Sequence, residues 1–347
     1  MKLPLLGAIA ASVAACCTVA AAPAVAAPAY GVTRTVPLGA PDRWDYVVFD
    51  PSSARVFVAH GDRVTAVDAA SGAIVGQIEG MPGGTHGVAF SPATGRGVTD
   101  DGRAGQAVLF DLKTLKVVQR LPAAEDADAI AAEGSTGRFF VINGDTGTVT
   151  VVDPKAAAVV ATIPVGEKLE SGASDDRGTL FIAGAGARDL VRIDARAAKL
   201  VSRSPTPDCE SPHGLAMDKV GRRLFMGCIN AKLMVLDADT GRVVTELPIG
   251  QGSDAVAWDP TRRRVFSSNG RDGTITVYQQ ASPDRYTAME PVTTAVSGRT
   301  MSVDPATGRL FVVAADIDPA AAPGPGGRPR FRPGSLKLLM LDPVAAP

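Results

Sequence analysis

Residues 213–226 read HGLAMDKVGRRLFM, and residues 232–247 read KLMVLDADTGRVVTEL. In the first, a polar residue opens a short apolar run. An Asp turn follows, then a basic residue and a second apolar run. In the second, an apolar run ends in Asp, turns, and starts again. Short β-rich runs bounded by Asp, Gly and Pro are strands joined by tight turns. Asp accepts backbone N–H groups two and three residues on, which closes such turns. The two halves together predict four antiparallel strands in about 42 residues, the size of one propeller blade.

The same unit recurs seven times. The other copies are DYVVFDPSSARVFV from Asp45, HGVAFSPATGRGVT from His86, DAIAAEGSTGRFFV from Asp128 and ESGASDDRGTLFI from Glu170. DAVAWDPTRRRVFS from Asp254 and RTMSVDPATGRLFV from Arg299 complete the set. Their turn residues are Asp50, Ser91, Glu133, Asp175, Asp218, Asp259 and Asp304, spaced by 41, 42, 42, 43, 41 and 45 residues. Second-half turns fall at Asp68, Asp111, Asp153, Asp194, Asp237 and Asp342, with Gln279 in the sixth copy. One blade cannot bury both of its faces, so seven copies predict an all-β, seven-bladed β-propeller. The seventh copy lacks a fourth strand. GVTRTVPLG (31–39) matches the fourth strands VVATIPVG (159–166) and VVTELPIG (243–250). The N-terminal strand is therefore expected to complete the last blade and remove an open edge.

Residues 1–26 read as a signal peptide: Lys2, an apolar core over 3–15, and Ala24-Val25-Ala26 as a cleavage site. Val13-Ala14-Ala15-Cys16 also matches a lipobox, so lipidation at Cys16 is the alternative. Residues 27–347 are read as one propeller domain, periplasmic or secreted, without a transmembrane span and monomeric. Beyond the leader only Cys209 and Cys228 remain, an even count that fits a disulfide in an oxidising compartment. Cys209 precedes the first strand of the fifth blade and Cys228 ends its second, so antiparallel pairing brings them together. The net charge of −1 carries no basic excess for nucleic acid.

The strand-turn-strand repeat, the endings VVATIPVG and VVTELPIG, the leader and the late insertion resemble the YVTN/YncE-type family of exported seven-bladed propellers. The resemblance covers 29–343. It implies the fold and export, and assigns no chemistry.

The residues opening the repeats carry the functional signal: Asp45, His86, Asp128, Glu170, His213, Asp254 and Arg299. All seven ionise. At this chain's frequency of such residues, that run has a chance probability of about one in 10⁵. Each starts an innermost strand, so the seven are expected to ring one mouth of the channel. His60, Asp100, Asp101, Asn143, Cys228, Asn269 and Asp316 are expected nearby, as ordinary turn chemistry. Residues 315–334 form a Pro/Gly-rich insertion read as a loop or flap over the same mouth, with Arg328, Arg330 and Arg332 flanking Phe331. Arg262-Arg263-Arg264 is read as a solvated turn on the opposite face.

The ring predicts a ligand- or metal-binding protein. The ligand is a small polar molecule or a cation, with His86 and His213 as the direct contacts to a divalent metal. Another exported protein is the alternative partner. A metal-dependent, lactonase-like hydrolase or lyase is the second reading, and an interaction scaffold the third. No C-x-x-C-H, P-loop or G-x-S-x-G motif is present, and an enzyme is not the favoured reading. Trp44 and Trp258 occupy different repeat positions, so neither a WD repeat nor the tryptophan-rich blades of quinone enzymes is indicated.

Overall fold

The computed structural model describes residues 30–324 and 328–344. The leader, with Cys16, lies outside these residues. Seven antiparallel sheets stand around one axis. Their innermost strands are Val47–Asp50, Val88–Ser91, Ala127–Glu133, Leu169–Ser174, Pro212–Asp218, Ser253–Asp259 and Thr300–Val303. Each adjoins the next, and the seventh adjoins the first, so the ring closes.

Hydrophobic patterning sets the layers. In the first blade, the second strand, Arg55–His60, and the third, Arg63–Asp68, are almost wholly buried, while the outer strand, Ile74–Glu79, faces solvent along most of its length. One phenylalanine or more stands fully buried between successive blades, including Phe57, Phe110, Phe140, Phe181, Phe225, Phe266 and Phe311. Burial of one such ring is worth roughly 1.5–3 kcal/mol. The sixth blade carries an additional short strand, Val292–Thr293, against the start of Thr274–Ser282.

Closure follows the sequence expectation. Tyr30–Pro37 pairs antiparallel with Lys337–Pro343 and forms the fourth strand of the last blade. Arg309 Nε and Nη2 donate to both Asp342 carboxylate oxygens at 2.6 and 2.8 Å, and Thr33 Oγ1 donates to Asp342 Oδ2 at 2.5 Å. Cys209 and Cys228 stand at disulfide distance, with Cα atoms 5.2 Å apart, both fully buried. The bond closes a loop with a sequence separation of 19, worth about 3 kcal/mol in the chain-entropy account.

The described part of the insertion is a loop tethered at several points. Ile317 bridges Phe331, and Asp318 N donates to Arg330 O at 2.8 Å. The Asp42 carboxylate accepts Gly334 N and Leu336 N at 2.6 and 2.8 Å, and Phe331 packs on Trp44 with ring centroids 5.0 Å apart. One expectation needs correction: two of the arginines at 262–264 bridge blades instead of lying in a solvated turn. Arg262 donates to Thr307 O of the next blade at 2.6 Å and Arg264 lies over the Tyr30 ring of that blade at 5.6 Å, while exposed Arg263 donates within its own blade to Gln280 Oε1 at 2.9 Å.

Among the described residues, no helix is long and apolar enough to cross a membrane.

Candidate functional site

Near the axis adjacent strands approach closely, which restricts the residue after each opening position. Six of the seven are small: Gly87, Ala129, Ser171, Gly214, Ala255 and Thr300. A Cβ on Gly87 would meet Asp128 O at 2.4 Å, so no larger residue fits there without a backbone shift. The seventh is Tyr46. Its ring reaches the core cluster of the third and fourth blades, built on Ala129, Phe140 and Leu180. Tyr46 was not singled out from the sequence, although its break with six small counterparts was legible there. Burial first, then the charges of Asp128, Asp45, Glu170 and Asp254, push its phenol well above the ordinary value. The hydroxyl therefore stays protonated, and Tyr46 sits among four ring carboxylates.

The ring divides into three groups. In the first, Arg299 is the centre: Nη1 donates to Asp254 Oδ2 at 2.6 Å and Nη2 to Trp44 O at 2.8 Å, with Asp45 Oδ2 at 3.8 Å. It also lies over the Trp44 ring at 5.6 Å. Burial raises Asp45 while Arg299 pulls it down, and the net shift is upward.

In the second, His86 Nδ1 stands 2.9 Å from Asp100 Oδ1. Asp100 is fully buried and also accepts His86 N at 3.0 Å and Gly87 N at 2.7 Å. In five of the other blades the matching position holds Ala59, Ile142, Ala183, Gly227 or Ser268, so Asp100 departs from the repeat. Burial opposes the charged imidazole, but the bond and charge of Asp100 outweigh it and raise His86 to about 9. Burial likewise lifts Asp100 to about 6, against the bonds it accepts. Between those values the two form an ion pair. His86, expected as a direct metal contact, has its Nδ1 engaged by Asp100 here.

In the third group, His213 Nε2 lies 4.0 Å from Glu170 Oε1, and His213 Nδ1 lies 2.7 Å from Ser211 O. A carbonyl can only accept, so Nδ1 carries the proton. Lys168 Nζ is 3.9 Å from the same Glu170 oxygen. His86 and His213 thus engage different carboxylates, and among the described residues no three His, Cys, Asp or Glu side chains converge as a metal set.

Asp128 stands apart. No hydrogen bond or ion pair reaches its carboxylate among the described residues. Burial first, then Asp45, Glu170 and Asp100, raise it well above the ordinary value despite His86.

The neighbouring positions are structural. His60 is 1% exposed and engages Thr65 Oγ1 and Pro41 O at 3.1 and 2.9 Å. Asn143 and Asn269 each donate to two threonines of the next strand. Asp316 pairs with Lys337, Cys228 is in the disulfide, and Asp101 is buried beside Asp100.

Two cavities open at the mouth, with Arg43 on both walls. One of about 460 Å³ includes His86, Arg103 and Asp126. The other, of about 640 Å³, runs from His213, Asp254 and Arg299 to the insertion at Ile317, Arg328 and Phe331.

No known family matches the chain by sequence profile, and no curated protein matches it in sequence. Solved structures match its fold. One, titled "Crystal Structure of Mitotic Checkpoint Complex", aligns with a TM-score of 0.73 and 13% identity over 98% of this chain and 100% of its own. Another, Kuenenia stuttgartiensis hydrazine synthase, aligns with a TM-score of 0.68 and 12% identity over 78% of this chain and 92% of its own. At such identities the likeness is one of fold alone.

Proposed function

We propose that the chain is an exported YVTN/YncE-type propeller that binds a small cation at the ring mouth. The carrying observation is Asp128, a carboxylate with no partner of its own among the described residues, which feels the charges of Asp45 and Glu170 and acts in turn on Tyr46. A bound cation relieves that repulsion. The aromatic face of Tyr46 favours an organic ammonium, which a ring attracts through its quadrupole. Among the described residues no three ligand side chains converge, which makes a dehydrated metal ion the weaker fit. Calorimetric titration of alkylamines and of divalent metals, against wild type and an Asp128→Asn/Glu170→Gln variant, tests this. Amine binding at least tenfold weaker in the variant is expected, and equal affinities would end the reading. Binding should weaken as pH falls through the raised value of Asp128, and strengthen as pH rises through about 9, where His86 loses its charge.

The His86–Asp100 pair favours one alternative. A buried carboxylate orienting an imidazole is also how an acid–base catalyst is held. Turnover of simple lactones, lost in a His86→Gln variant, would move the assignment to a hydrolase.

A further inference from the structure

The larger cavity, beneath the insertion, has the opposite electrostatics from the acidic side of the mouth. Arg43, Arg271, Arg299 and Arg328 line it, with Trp44 and Phe331 as its aromatic wall. Of the four arginines, Arg299 is committed to Asp254 and the Trp44 carbonyl. Among the described residues, Arg43, Arg271 and Arg328 have no side-chain hydrogen bond or ion pair. The acids on this wall are already engaged: Asp42 holds Gly334 and Leu336, and Asp254 holds Arg299. Trp44, only 4% exposed, contributes an indole N–H with no partner, an independent sign of an unmet acceptor. A buried donor left unpaired costs free energy.

Two residues of the cavity wall approach the acidic side. His213 lines the cavity and its Nε2 lies 4.0 Å from Glu170. Arg299 lines it too, 3.8 Å from Asp45. Positive charge therefore gathers under the insertion, and negative charge around Tyr46, within one mouth.

We infer that the ligand of this mouth is dipolar: its ammonium lies against Asp128, Glu170 and Tyr46, and its carboxylate or equivalent anionic group enters the cavity beside Arg43, Arg271 and Arg328. This rests on the cation reading above and names the ligand class within it. Guanidinium groups suit a carboxylate because they can donate two parallel bonds. The Trp44–Phe331 wall suits a short aliphatic spacer between the charges. The ligand class is thus an amino acid with separated termini, or a molecule of the same two-ended chemistry.

The experiment is a calorimetric series on the mature chain. It compares β-alanine, γ-aminobutyrate and ε-aminocaproate with the amines of equal length that lack the carboxylate. One amino acid of the series should bind at least tenfold tighter than its matched amine. In an Arg271→Ala/Arg328→Ala variant that ratio should fall to about one, with the melting temperature unchanged because both arginines are exposed and unpaired. Amines and amino acids binding alike, or a ratio unaffected by the double variant, overturns the dipolar assignment alone. Failure of every amine and amino acid to bind overturns the cation reading, and this inference with it.

Discussion

On the face opposite the mouth, Asp175 accepts Arg177 N and Thr179 N at 2.9 Å each, and Arg222 Nη1 at 3.1 Å. At the mouth, Asp128 accepts nothing among the described residues. Both are aspartates at a terminus of an innermost strand, Asp128 at the start of one and Asp175 just past the end of another, and their shifts run in opposite directions. Burial works against charge at Asp175, but the two backbone N–H groups and Arg222 prevail and hold it below its ordinary 3.8. At Asp128 burial and neighbouring carboxylates act together, and the value rises. The lesson concerns donors. Turns present backbone N–H groups to a carboxylate at no added cost. Strand starts around a channel present other side chains, and here most of those are acids. One face therefore stores stability in its acids, and the other stores strain that a ligand can relieve.

The largest expected effect tests whether the mouth holds any pre-paid ion pair. His86→Ala strands Asp100 in a fully buried site and should cost about 3 kcal/mol in urea unfolding at pH 7. The His86 contribution is complete below 6.5 and disappears as pH rises through about 9. The gap between wild type and variant should therefore close at high pH. A variant as stable as wild type at pH 7 would place the pair outside the stability of the fold.

Next comes the turn face. Asp175→Ala removes the acceptor for two N–H groups and a guanidinium, with an expected loss of about 2 kcal/mol. Because the folded value lies below 3.8, this stability is present above 3.8 and fades as pH falls through the lower folded value. Thermal melts of wild type and variant should converge in acid. A constant gap would refute the charge-based account of the turn.

Asp128→Asn is the smallest effect and has the reverse sign. An acid whose folded value is raised loses stability as pH climbs from 3.8 to that value, so the amide should melt slightly higher than wild type at pH 7 and equally at acid pH. Destabilisation at pH 7 would mean that the carboxylate has a partner, and would erase the contrast between the faces.

Much of this was legible in the chain. Asp218 and Asp259 accept N–H groups two and three residues on, and Asp50 accepts Ser52 N and the Ser53 hydroxyl, because turn chemistry is local. The strand over 31–39 closes the last blade because its pattern matches the missing fourth strand. Cys209 and Cys228 meet because antiparallel register fixes which ends adjoin. The charge state of His86 was not legible. It depends on Asp100, 14 residues away on the neighbouring strand and sealed from water. Nor was the Arg262 clamp, since its acceptors Pro305 O and Thr307 O belong to the next blade.

The order of residues by itself determined seven blades, the closing strand, the disulfide pair and a ring of ionisable side chains, because each follows from periodicity or from register within one sheet. Only the tertiary structure decided which ring members neutralise one another. Arg299 settles between Asp254 and Asp45, His86 on Asp100, and Asp128 on nothing. The physical reason is that electrostatic energy depends on distance and burial across blades. Arg299 meets Asp254 and Asp45 only because blades 45 or more residues apart along the chain are brought together by closing the ring, whereas His86 meets Asp100 across two strands of one blade.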